Sequence, residues 1–112
     1  MIFDVKLSKQ ADSDLRNIYE YIAFELQAPE NADGQLNQLE KMILSLEEMP
    51  ERFRRYEKEP WRSQGLRIVP VDNYLVVYIP EIDIQRVTVI RVLYGRRNVD
   101  EELRLHTTIT TE

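Results

Sequence analysis

Cysteine is absent from this chain of 112 residues, and histidine is nearly so, with His106 the single copy. Without cysteine there is no disulfide framework and no thiolate metal site. No run of about eighteen apolar residues occurs, so no membrane span is expected. The first ten residues, MIFDVKLSKQ, lack the apolar segment of a secretory signal. No internal repeat, linker or low-complexity segment is visible. These absences leave a cytoplasmic protein that uses no metal and no cofactor. Its length suits one domain, read as 1–105, with a polar tail over 106–112.

What is present is enough apolar material for one modest core, 43% of residues, and an uneven charge. The net charge is -5, yet Arg52–Arg97 holds ten Arg/Lys against five Asp/Glu. The remainder therefore has five of the fifteen bases and fifteen of the twenty acids. Such a split points to an anionic partner met on one face, or to ordinary solvated arginine on a sheet.

Ile2–Leu7 alternates loosely and reads as a strand. Ser8 offers a helix N-cap, and Ala11, Leu15, Ile18 and Ile22 follow at helical spacing, which predicts a helix over about Lys9–Leu26. Asp12 and Asp14 suit its dipole. Pro29 opens a second helix, with Leu36, Leu39, Ile43 and Leu46 as its stripe, Met42 and Met49 widening it, and Pro50 ending it. Glu51–Gln64 mixes four arginines, a lysine and three glutamates with Phe53, Tyr56 and Trp61. Aromatics among cations can stack on bases or pin a loop. Three strands follow. Leu66–Val71 contains Pro70, which suits an edge position or a bulge. Asp72-Asn73 suits a hairpin turn. Tyr74–Ile79 is apolar nearly throughout, hence central, and Pro80–Gln85 turns the chain into Arg86–Tyr94. Asn98 can cap a last short helix reaching Leu105. The order predicts an α+β fold: a strand, an αα-hairpin and three antiparallel strands, with the helices on one face of the sheet.

The segment Val87–Arg97, VTVIRVLYGRR, is the place to look for function. A β-branched strand there ends in a tyrosine, a glycine and two arginines, on a loop held by a rigid element. Strict alternation places Val87, Val89, Arg91 and Leu93 on one face and Thr88, Ile90, Val92 and Tyr94 on the other. Arg91 then sits among apolar residues, so it is either paired with a carboxylate or presented into a cleft.

Four segments together resemble the RelE/ParE superfamily of bacterial type II toxin–antitoxin modules: ADSDLRNIYEYI, MPERF, GLRIVPVDNYLVVY and VTVIRVLYGRRNVDEEL. The ordered set spans about Val5 to Leu105. The resemblance implies two helices on an antiparallel sheet, growth arrest when the toxin is released, and a cognate antitoxin that wraps it. Operator DNA would be bound only through the antitoxin.

The superfamily divides by mechanism. RelE-like members cleave mRNA in the ribosome; ParE-like members poison DNA gyrase. Cleavage through the RNA 2′-hydroxyl needs a base, a cation on the phosphate and an acid for the leaving oxygen. The resemblance places Arg67, Arg91 and Tyr94 near the nuclease positions as catalytic candidates, with Glu57 or Glu59 as a base. Arg55, Arg62, Arg96 and Arg97 would bind the target. Against the nuclease, no histidine occupies the C-terminal motif, VLYGRR is closer to the ParE-like pattern, and the whole chain is acidic. The favoured reading is therefore a ParE-type poison of gyrase. A RelE-type mRNA endonuclease is the alternative, and an antitoxin-binding regulatory module without toxicity is a third.

Overall fold

The computed structural model describes residues 2–107. One four-stranded sheet organises them: β1 (Asp4–Leu7), β2 (Arg67–Val71), β3 (Tyr74–Glu81) and β4 (Arg86–Tyr94), in the spatial order β1-β4-β3-β2. β1 runs parallel to β4, and the other pairings are antiparallel. The first strand thus starts at one edge, and the helices carry the chain over to the other. Pro70 lies exposed on the edge strand β2, where its missing N–H leaves no gap in the ladder. β2 and β3 close through Asp72-Asn73, with Asp72 in the left-handed region at φ 54°.

Helices α1 (Lys9–Glu20) and α2 (Pro29–Ser45) cover one face. Leu15, Leu39, Ile43 and Leu46 meet Val69, Val76, Tyr78 and Val89 there. The other face is covered by Trp61, Leu66 and Leu103, the last from the short helix α3 (Val99–Leu105). Trp61 and the partly buried Phe53 thus pin the Glu51–Gln64 loop to the two core layers. Burying a Leu or Ile side chain contributes about 1.5–3 kcal/mol, so each layer is a substantial anchor.

Several boundaries differ from the sequence reading. The first helix stops being α at Glu20 and continues as a π-helical turn over Tyr21–Glu25, ending in Gln27 at φ 52°. Periodicity alone does not register an inserted residue of this kind. The first strand is shorter, because Phe3 donates to Glu47 O (2.7 Å) instead of joining the ladder. Met49 does not widen the stripe of α2: it is 73% exposed and left-handed at φ 49°, turning the chain into a 3₁₀ turn at Pro50–Arg52. β3 runs on through Pro80 and Glu81 before the turn.

The alternation along β4 is also broken. Val77 pairs with Arg91 but Tyr78 pairs with Val89, so Ile90 is an extra residue in a β-bulge. Val87, Val89 and Val92 consequently pack in the layer under α1 and α2, while Ile90 and Leu93 pack in the other. The predicted grouping of Val87, Val89, Arg91 and Leu93 on one face therefore holds only on either side of the bulge.

Tyr78 reports on this core. It is fully buried, and its hydroxyl donates to Pro50 O at 2.6 Å. Burial pushes its pKa from 10.0 up to about 12. A phenol whose folded pKa is raised contributes stability that is complete below pH 10 and is lost as pH climbs through 12. At about 1.4 kcal/mol per pH unit, the loss is on the order of 2–3 kcal/mol. Chemical denaturation at stepped pH should show this loss in the wild-type protein. Tyr78→Phe should be less stable at neutral pH by about 1 kcal/mol and lack this component of the alkaline loss.

Candidate functional site

Arg91 shows what the C-terminal strand is built around. β1 ends opposite Val89, and Ser8 then caps both structures: its Oγ donates to Ile90 O (2.7 Å) and accepts from Ala11 N (3.0 Å). Past that point β4 has no strand beside it on the β1 side, and Asp14 of α1 takes the vacant place. One carboxylate oxygen accepts from Val92 N (2.9 Å) and from Arg91 Nε (2.6 Å); the other accepts from Arg91 Nη2 (2.9 Å). Arg91 Nη1 reaches His106 O and Thr107 Oγ1, both at 3.0 Å, and lies 3.7 Å from Glu102. Arg91 is 8% exposed, and the Asp14 carboxylate holds its guanidinium pKa above the ordinary value. Both alternatives for this arginine are met in part: it is paired with a carboxylate, and it also borders a cleft. Asp14 thus does more than suit the dipole of α1. Its position three residues after Ala11 and four before Ile18, on the inward face, was the available signal.

Arg67 is engaged differently. It starts β2, and its Nη1 donates to Phe53 O (2.7 Å) and Glu51 O (3.2 Å), with the Glu51 carboxylate at 3.6 Å. Its Nε is buried without a hydrogen-bond partner among the described residues. The guanidinium thus holds the 3₁₀ turn at the end of α2 against the sheet.

The nuclease candidates do not meet. Arg67 pairs with Tyr78, which packs under α1 and α2; Arg91 pairs with Val77, which packs in the opposite layer. Directly paired residues share a face, so the two arginines leave the sheet on opposite faces. Tyr94 pairs with Tyr74, four residues along β3 from the partner of Arg67. At about 3.3 Å per residue that is roughly 13 Å. Arg91 and Tyr94 do line one cavity; Arg67 does not. Glu57 and Glu59 are exposed, and Glu59 accepts from Ser63 Oγ.

Of the binding candidates, Arg55, Arg62, Arg96 and Arg97 are all exposed. Arg97 lies 3.4 Å from Glu102. The nearby loop is tied down by Tyr56 and Lys58, which both reach Asp100 at the start of α3. Among the described residues no group of three His, Asp or Glu could hold a metal ion, and no helix is long and apolar enough to cross a membrane.

Two concavities flank the helical layer. A groove of about 660 Å³ runs between α1, α2 and β1, over Leu7, Leu15, Tyr19, Leu36 and Leu44. A cleft of about 870 Å³ lies where the π-helical turn, α2, the β2–β3 hairpin and the end of β4 converge. Sequence reasoning singled out only Arg91, Tyr94 and Arg97 of its lining. It missed Tyr21 and Tyr74, because the π-helical turn that aims Tyr21 has no sequence period. Tyr74 stacks edge-on to Tyr94 with ring centroids 5.8 Å apart. Burial, and the neighbouring Tyr94 and Tyr21 phenols, push its pKa up.

The fold is that of the RelE/ParE-like toxins. The chromosomal ParDE system of P. aeruginosa matches with TM-score 0.69 and 17% identity, over 83% of this chain and 96% of that one. The RelBE2 toxin–antitoxin complex of Mycobacterium tuberculosis matches with TM-score 0.62 and 17% identity, over 84% and 99%. A mutant E. coli RelE toxin in the free state matches with TM-score 0.63 and 16% identity, over 88% and 90%. No curated protein matches in sequence. The family model for the ParE toxin of the parDE type II toxin–antitoxin system matches residues 5–99, and the chain belongs to that family. It is a type II toxin, and a cognate antitoxin is its partner.

Removing one side of the Asp14–Arg91 pair strands a buried charge and the Val92 N–H. Asp14→Ala should therefore lower unfolding free energy by about 3–5 kcal/mol. The Asp14→Leu/Arg91→Met double variant should recover much of that loss in urea denaturation.

Proposed function

We propose that this toxin acts as a ParE-type poison of a target protein, DNA gyrase, in the cytoplasm, and that it is not a ribonuclease. The observation that carries the reading is the divergence of Arg67 and Arg91. Metal-free RNA cleavage needs its cation, base and acid around one phosphate. Here one arginine is bound to backbone carbonyls on one face, and the other, leaving the sheet on the opposite face, is neutralised by Asp14 at the edge of β4. Freeing either for a phosphate would break the fold that positions it. The match to the ParE toxin family supports the same reading.

The antitoxin is proposed to lie along the α1–α2 groove and the outer rim of β1. Leu44 and Leu7 are 63% and 41% exposed there, and β1 is an edge strand able to accept another. Asp12, Arg16, Glu20 and Glu40 give this apolar groove a charged rim, the pattern of an amphipathic-helix site.

The experiment is an induced toxin without antitoxin, together with purified protein offered to gyrase and to ribosomes programmed with mRNA. Inhibited supercoiling with intact mRNA is the expected result. Cut mRNA with normal supercoiling would overturn the reading. For the antitoxin, Leu44→Asp should weaken its binding at least tenfold, and co-expression should no longer reverse growth arrest.

A further inference from the structure

The cleft at the end of β4 has a composition unlike that of the antitoxin groove. Three tyrosines, Tyr21, Tyr74 and Tyr94, surround it, with Tyr21 and Tyr94 well exposed. Asn17, Asn31 and Asn73 add primary amides whose side chains have no hydrogen-bond partner among the described residues. Ile18, Ile22 and Val92 make an apolar floor, and Leu26 stands exposed at its side. A π-helical turn, a feature frequent at functional sites, bends Tyr21 and Leu26 toward it.

Charge identifies the class of occupant. Only two cations line the cleft, and neither is unopposed: Arg91 is held by Asp14, and Glu102 lies 3.4 Å from Arg97. The exposed Arg54, Arg55 and Arg62 are not among its lining. A polynucleotide draws its affinity from unneutralised lysine and arginine along its phosphates, which this cleft lacks. Tyrosine with asparagine and a pair of opposed arginines is instead the composition of a protein-binding paratope. Rigid phenols supply amphipathic contact area, and short amides adapt to main-chain N–H and C=O groups. Arginine and tyrosine are also among the residues enriched in interface hot spots.

We propose that this cleft is the target-recognition site: it takes an uncharged polypeptide segment of the poisoned protein, with an apolar or aromatic side chain entering between Tyr21 and Tyr94. The inference rests on the protein-poison reading above but does not require the target to be gyrase. The toxin would then use two separate surfaces, the α1–α2 groove for its antitoxin and this cleft for its target.

Two variants test it. Tyr21→Ala removes an exposed ring, and Asn17→Trp adds bulk from an exposed position on α1 without removing a packed contact. Circular dichroism establishes the fold of each, and titration against the cognate antitoxin, growth arrest and gyrase inhibition are then compared with wild type. Expected are antitoxin affinity within about twofold of wild type, loss of growth arrest, and at least tenfold weaker gyrase inhibition. Growth arrest at the wild-type level in a folded variant would overturn the proposal. So would a tenfold loss of antitoxin affinity, which would give the cleft to the antitoxin, or loss of ribosome-dependent mRNA cleavage, which would give it to RNA. If wild type leaves gyrase and mRNA untouched while both folded variants keep antitoxin binding and lose growth arrest, the gyrase reading fails and the cleft stands.

Discussion

The Asp14 carboxylate closes a gap that the topology creates. A four-residue β1 cannot cover a nine-residue β4, so the part of β4 beyond Val89 would present bare backbone at that edge. Asp14 supplies what the missing strand would have given, an acceptor for Val92 N–H, and in doing so it becomes the counter-ion of Arg91. Arg91 in turn reaches the end of α3 through His106 O and Thr107 Oγ1. One buried charge pair therefore joins the first helix, the last strand and the last helix. Desolvating both ions is costly, and the geometry offsets this with two direct contacts between them and further hydrogen bonds from each partner. The specificity of that arrangement fixes where β4 stops, and so where the Tyr94–Arg97 turn leaves the sheet.

The basic half of the chain looks different once its contacts are known. Arg52 donates to Ser45 O, Glu48 O and Met49 O at the carbonyl end of α2, where the helix dipole favours a cation. Arg67 holds the next turn by the same means, Arg91 answers Asp14, and Lys58 answers Asp100. Much of the apparent basic face thus cements the chain to itself. An anionic partner read from composition counted these cations as available. The side chains that keep no partner among the described residues, Arg54, Arg55, Arg62 and Arg96, are spread over two separate turns.

Periodicity was a sound guide wherever one rule governed a segment. Both helices, the edge position of Pro70, the Asp72-Asn73 hairpin and the Asn98 cap of α3 were legible, since each depends on residues near in sequence. The resemblance, carried by short segments in a fixed order, reached the family. What could not be read was set by residues far apart. The bulge at Ile90 appears only when β4 is laid against β3, and it reverses the facing of every residue after it. The partner of Arg91 lies 77 positions away in sequence. The π-helical turn over Tyr21–Glu25 preserves helical composition, so nothing in the spacing of Ala11, Leu15, Ile18 and Ile22 marks it.

These non-local features are also what separate the two surfaces of the toxin. A regular α-helix continued to Leu26 would keep the face begun by Leu15 and Ile18 and would present one continuous apolar stripe beside α2. The π-helical insertion breaks that stripe: Ile22 and Ala23 pack with Ala32 in a small cluster of their own, and Tyr21 turns toward Tyr74 and Tyr94. The bulge in β4 works in the same direction, setting Val92 and Tyr94 on the face that the hairpin tyrosine shares. Gly95 then lets the chain pass close to the hairpin, for a Cβ there would stand 3.1 Å from Asn73 O. Its N–H instead donates to that oxygen at 2.8 Å. Two local irregularities and one close backbone approach are therefore enough to turn the end of an ordinary sheet into a tyrosine-lined cleft. A fold shared across toxins can in this way keep its core while its strand ends differ in what they engage.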